Sequence, residues 1–166
     1  MTMTASRKLL IIGGLILAVL GMLYGVEYAL FTEHQTLDQM GGALAQSFAA
    51  AAGHETARSQ GALHEYGEIK YDYVRQVDAH SHWIGLAMLM IVLGVIFDRV
   101  NFSEGARQGI AIILLLGSVL FPLAVLLQTY DHGAFVLKAL SVLGPGLVIV
   151  GLAATAWGFA RRQATT

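Results

Sequence analysis

Histidine carries most of the reactive chemistry in this chain. There are six, His34, His54, His64, His80, His82 and His132, and there is no cysteine. Imidazole nitrogen ligates zinc, copper and haem iron, and a carboxylate completes or orients such a site. Without cysteine, thiolate-held iron–sulfur clusters, Cys-bridged copper and covalently attached haem are excluded. A metal would be held by His, carboxylate, Met or Tyr. The densest group lies in V-D-A-H-S-H-W, where Asp78, His80 and His82 precede the uncharged run from Ile84 to Phe97. Asp78 and His82 share a helix face, a spacing at which a carboxylate fixes an imidazole tautomer. His80 and His82 point to opposite sides of one helix, so only one of them faces a bundle interior. Neutral imidazoles so placed would alternatively relay protons, because histidine titrates near physiological pH.

The elements that position these residues are membrane elements. Apolar residues make up 56% of the 166-residue chain and charged residues 13%, against roughly 25% charged in soluble domains. A net charge of -1 and the lack of a basic stripe argue against nucleic acid as a partner. A hydrocarbon core about 30 Å thick takes roughly 20 helical residues. Four stretches meet that length: about 9–31, 79–98, 106–129 and 134–160. The first follows Arg7-Lys8 and resembles a signal peptide, but its length and the lack of an A-x-A-like site favour an uncleaved helix. Gly117 with Pro122, and Gly144-Pro145-Gly146, mark expected kinks. Gly144, Gly146 and Gly151 suggest close helix contact. The expected fold is all-α, an integral membrane four-helix bundle forming a single domain over 1–166. Segment 32–78 is expected to be an extracytoplasmic loop carrying a short amphipathic helix, from Leu37, Met40, Leu44, Phe48 and Ala51 or Ala52. Gly53 and Gly61 are its expected breaks, and the second membrane helix is expected to begin above the bilayer, near Lys70.

Basic residues set the orientation. With both termini cytoplasmic, Arg7, Lys8, Arg99, Arg107, Arg161 and Arg162 crowd the inner flanks of a multi-pass protein of the cell (inner) membrane. Every histidine then falls on the outer side, with every carboxylate except Asp98 and Glu104. His34, one of His80 and His82, and His132 lie near helix ends at similar depth, the geometry of a metal site at the mouth of a bundle. Tyr24, Glu27, Phe31 and His34 share a helix face. Glu27 lies in the outer third of the membrane and is expected to point inward to a partner, with Lys138 a candidate. Glu27, Asp78, Gln128, Asp131 and Lys138 are the expected supporting residues. Each histidine taken singly is also accounted for as an amphipathic residue at the headgroup level, and His54 and His64 as solvated loop residues. Met88 and Met90 read as packing. Tyr66, Tyr71, Tyr73, Trp83 and Tyr130 read as an interfacial belt or the lining of a quinone pocket.

The stretch H-S-H-W-I-G-L-A-M-L-M-I-V-L-G resembles small four-helix membrane proteins in which an H-x-H pair opens a helix, similar to histidine-bearing helices of the haem-copper oxidase superfamily. The resemblance covers His80 to Gly94. It implies haem or copper at His80 or His82, with the partner ligand on another helix. Four spans fall short of an oxidase core, so it does not carry oxygen reduction.

Three functions follow as expectations. The first is a histidine-lined site for haem b or a Cu, Zn or Fe ion, used for electron transfer or metal handling in a respiratory-type complex. The second is a cofactor-free structural or assembly subunit, partnered in the lipid bilayer by other membrane subunits or by its own copies. The third is a membrane oxidoreductase acting on quinol or a small apolar substrate.

Overall fold

In a computed structural model, residues 3–163 are described, with side chains through Arg161. Five α-helices account for nearly all of the described chain: α1 (Ala5–Glu27), α2 (Glu33–Ala52), α3 (Thr56–Ile96), α4 (Glu104–Leu127) and α5 (Phe135–Gln163). A single π-helical turn, Tyr28–Thr32, joins α1 to α2 without a break. The result is a helix of 48 residues, Ala5–Ala52, about 72 Å long at 1.5 Å per residue. Among the described residues, four helices are long and apolar enough to cross a membrane.

Segment 32–78 is thus helical almost throughout. Its first half extends the first helix and its second half is the start of the 41-residue α3. The chain's two prolines, Pro122 and Pro145, both lie beyond it, so nothing in it removes a backbone donor or blocks a helical turn. Gly61 lies within α3 and breaks nothing. The two stretches pair as an antiparallel hairpin. Ala43, Ser47 and Ala50 of α2 are buried, as is Ala62 of α3. The Ser47 hydroxyl sits 3.2 Å from the Ser59 carbonyl oxygen and 3.1 Å from its hydroxyl. The stretch of α3 from Thr56 to Asp72 carries the hairpin about 24 Å past the α4–α5 turn.

The π turn has a packing cause. The buried face of α1 runs through Leu10, Gly14, Leu17 and Gly21 to Tyr28, and that of α2 through Ala43, Ser47 and Ala50. A π turn holds one residue more than an α turn, which lets both faces meet α3. At the hairpin tip, α2 ends in a Schellman arrangement. The Glu55 N–H donates to the Ala50 carbonyl (2.8 Å) and the His54 N–H to that of Ala51 (3.0 Å). Gly53, the expected break, is the C-cap. His54 takes the left-handed position, with φ 58, where glycine is usual.

Small residues let the helices touch backbone to backbone. A Cβ on Gly14 would lie 2.9 Å from the Ala87 carbonyl oxygen of α3. A Cβ on Gly117 would lie 2.6 Å from the Gly144 carbonyl oxygen, and one on Gly144 would lie 2.7 Å from the Phe121 nitrogen. Gly151 meets Leu114 and Gly158 meets Val100 and Phe102, whereas Gly146 faces open space. Leu10, Met90, Phe97, Val100, Ala111 and Leu114 form the buried centre. It lies toward the end where the chain's described termini meet. There Glu104 accepts the Ser6 N–H (2.8 Å), placing a carboxylate at the positive end of α1, and holds Arg107 at 2.9 Å. Arg7 pairs with Asp98 at 3.2 Å, and Ser103 caps α4 through the Ala106 N–H.

Replacing Gly144 with Val is expected to lower thermal stability in detergent by about 1–3 kcal/mol, the usual cost of overpacking. Gly146→Ala should leave it unchanged or raise it, because the new methyl meets nothing and alanine favours a helix. In hydrogen exchange, His54→Gly should slow opening of the hairpin tip by about fivefold, because a non-glycine residue at left-handed φ costs roughly 1–2 kcal/mol.

Candidate functional site

The polar chemistry concentrates where α3 passes the α4–α5 turn. On α3, His64, Gly67, Glu68 and Tyr71 recur at three- and four-residue steps and so share one face. Gln128 ends α4 with its side chain buried, 2% exposed. Its amide nitrogen donates to the Leu137 carbonyl (3.4 Å) and its amide oxygen accepts from the Tyr71 hydroxyl (3.3 Å). One buried amide thus ties both limbs of the turn to α3, satisfying groups that would be costly to leave unpaired. Within the turn, the Asp131 carboxylate accepts the Gly133 N–H at 2.9 Å. His132 then reaches α3, where its Nε2 lies 2.7 Å from Asp72 Oδ1. An ionised carboxylate only accepts, so Nε2 carries the proton. The His132 ring meets Tyr71 edge-on at 5.0 Å, and the Arg75 guanidinium lies 4.9 Å from the Tyr71 ring centre.

These groups enclose an open cleft of about 430 Å³, lined by His64, Gly67, Glu68, Tyr71, His132 and Lys138. Both imidazoles have a carboxylate beside them, Asp72 for His132 and Glu68, at 3.9 Å, for His64. The cleft offers hydrogen-bond donors and acceptors, with the Glu68 carboxylate on the α3 wall facing Lys138 on the other. It can bind and orient a polar group, and the His132–Asp72 pair can hold a proton at Nε2.

The expected histidine-lined metal site does not assemble. Among the described residues, no three of the His, Asp and Glu side chains gather as a metal-holding group. His34 stands on α2, 89% exposed and 3.7 Å from Asp38. His80 turns into the seam between α1 and α3, where Nδ1 lies 3.1 Å from the Gly21 carbonyl and the ring fills the space over Gly25. His82 lies outside that seam, against Phe121 of α4 at 4.5 Å between ring centres. The opposed directions expected for His80 and His82 are what the helix gives, and His80 is the inward one. Among the described residues, no hydrogen bond joins Asp78 to His82. Glu27, Phe31 and His34 do share one side, but it is the exposed side. The inward Glu27 and its pairing with Lys138 do not occur, because α1 packs on α3 and α4 while α5 packs on α4.

Of the expected residues, the cleft brings together His132 and Lys138, with Gln128 behind Tyr71 and Asp131 shaping the turn. His64, Glu68 and Asp72 were not expected as site residues. The signal was their four-residue spacing, which gathers side chains only on a helix. No protein-family model, curated protein or solved structure matches this chain.

Because the His132–Asp72 bond holds the turn on α3, Asp72→Asn should loosen the turn locally. Amide exchange over 129–134 is expected to quicken about fivefold, for a lost hydrogen bond worth roughly 1 kcal/mol. His34→Ala, whose side chain is solvated, should leave those amides as they are.

Proposed function

We propose that this chain is a structural or assembly subunit of a membrane complex, anchored by four membrane-crossing helices with both termini in the cytoplasm. Its hairpin is a rigid arm that docks a partner outside the membrane. The carrying observation is a second apolar stripe on α2. The first stripe, with Met40, Ala43, Leu44 and Ala50, is covered by α3. The second, Leu37, Gly41, Ala45, Phe48 and Ala52, follows helical spacing too, yet it is uncovered, with Leu37 45% and Phe48 71% exposed. A helix with two apolar faces has one neighbour too few. Gly41 has nothing within 4 Å of the place a Cβ would take, so a partner's backbone can come close. Phe48 offers the large aromatic anchor that interface centres favour.

Two further features support this reading. The arm runs into α1 without a flexible joint, so its position is set relative to the membrane. Glu27 also lies exposed on α1 between Val26 and Leu30, which are 53% and 70% exposed. A carboxylate on such a surface is costly against lipid and is relieved by a donor from a neighbouring subunit. His34, His80, His82 and His132 have separate neighbours, Asp38, Gly21, Phe121 and Asp72, which favours this role over a shared haem or metal ion.

Photo-crosslinking residues placed at Leu37 or Phe48 in intact membranes are expected to yield one discrete adduct, absent when the probe replaces Arg58 on α3. Phe48→Glu should weaken capture at Leu37 about thirtyfold, the effect of losing a central aromatic anchor of roughly 2 kcal/mol. A purified protein with a stoichiometric haem spectrum or bound metal, and no adduct from either position, would return the function to the cofactor reading.

A further inference from the structure

We propose that the cleft at the α4–α5 turn and the groove along α5 form one binding site for a phospholipid whose head carries a phosphate and a primary ammonium. The inference rests on the four long helices crossing a bilayer, and does not depend on the docking role of α2. The two hollows meet at one residue. The polar cleft of about 430 Å³ and an apolar groove of about 720 Å³ are both lined by Lys138. The groove is otherwise formed by apolar side chains, among them Phe135, Ala139, Leu140 and Leu143. It opens outward, with Phe135 81% exposed and Leu143 53% exposed. In a bilayer that surface is covered by acyl chain.

The charges along the site are ordered. Lys138 lies one turn inside α5, where a lysine keeps its stem on apolar surface and its ammonium in the headgroup layer. It makes no ion pair among the described residues, whereas His132 has Asp72. On the opposite wall, Glu68 is paired with no lysine or arginine among the described residues, and His64 stands 3.9 Å from it. From the groove outward the site therefore offers an apolar channel, then a cation, then a carboxylate. A phosphoethanolamine lipid presents acyl chain, phosphate and ammonium in that same sequence. The carboxylate accepts hydrogen bonds that a primary ammonium can donate and a quaternary one cannot. A glycerol head brings no cation for Glu68 at all.

The test is native mass spectrometry of the delipidated full-length protein, titrated with phosphatidylethanolamine, phosphatidylglycerol and phosphatidylcholine of matched chains. Phosphatidylethanolamine is expected to bind most tightly. Lys138→Gln should weaken it about fivefold, the scale of one lysine at a lipid surface, and should weaken phosphatidylglycerol as well. Glu68→Gln should weaken phosphatidylethanolamine alone. Leu140→Trp, which fills the groove, should weaken all three lipids. Both charged side chains lie on the surface, and unchanged helical circular dichroism of their variants would exclude misfolding as the cause. Equal or tighter binding of phosphatidylglycerol, or wild-type binding by the Lys138 and Glu68 variants, would overturn the proposal. So would displacement by soluble phosphoethanolamine at lipid-like concentrations, since the groove would then contribute nothing.

Discussion

Close approach of the α1 and α3 backbones is the constraint from which the rest of the structure follows. Gly14 lies against the α3 backbone at Ala87 and Ile91, and Gly21 and Gly25 admit the Ile84 side chain and the His80 ring of α3. Where lipid surrounds a helix pair, water cannot drive association, and packing between small residues takes that role. This contact sets the two longest helices side by side over the apolar half of the molecule. It also fixes where they go afterwards. Having no proline and no flexible joint, both continue past the α4–α5 turn, and Ala43, Ser47, Ala50 and Ala62 carry the same close seam into the hairpin. The π turn at Tyr28–Thr32 is the local cost of keeping one helix in register along both halves. The Ser47–Ser59 hydrogen bonds mark the change of surroundings, since the outer seam admits polar groups.

The same seam explains what becomes of the histidines. His80 occupies the hollow over Gly25, and its Nδ1 is committed to the Gly21 carbonyl. A ring so held packs the seam rather than meeting ligands from other helices. His82, two residues on, is directed away from it by helix geometry alone. His34 lies past the π turn on the side of α2 that α3 leaves uncovered. His132 arrives from α5's side of the molecule and finds Asp72. Four histidines at one end of a bundle are thus distributed over separate surfaces, because the helices form an open arrangement in which α5 packs on α4 and α1 on α3 and α4.

Much of the fold was legible in the sequence. The four apolar stretches lie within the long helices that composition and length put there. Gly144 and Gly151 were legible as contact residues, although Gly146 is not one. Segment 32–78 was legible in part: the helix through Leu37 and the next helix running past Lys70 are present, whereas the helical stretch 56–69 was not foreseen. Gly41, Gly42, Gly61 and Gly67 face open space within helices, and the packing of α2 on α3 offsets their poor propensity. That unforeseen stretch hid the cleft. His64 and Glu68 join Asp72 on one face only when α3 extends back through them. The direction of Glu27 was not legible either, because a helix face is known from sequence only relative to itself, and its neighbours are set by tertiary packing.

Polar side chains also divide between the two ends by purpose. At the end holding the described termini they close on each other: Glu104 with Ser6 and Arg107, Asp98 with Arg7. Those contacts cap helix ends that would otherwise leave backbone groups unpaired, and they lock the ends of α1, α3 and α4 together. At the hairpin end the pattern is looser. Lys138 and Glu68 stand on facing walls of a cleft without an ion-pairing carboxylate or lysine among the described residues, Glu27 lies on an apolar surface, and Leu37 and Phe48 lie uncovered on a helix. A protein that had only to be stable would gain by closing these groups in the way its other end does. These open groups lie toward one end of the molecule, where the proposed docking and lipid sites both lie, with the closed end holding them in position.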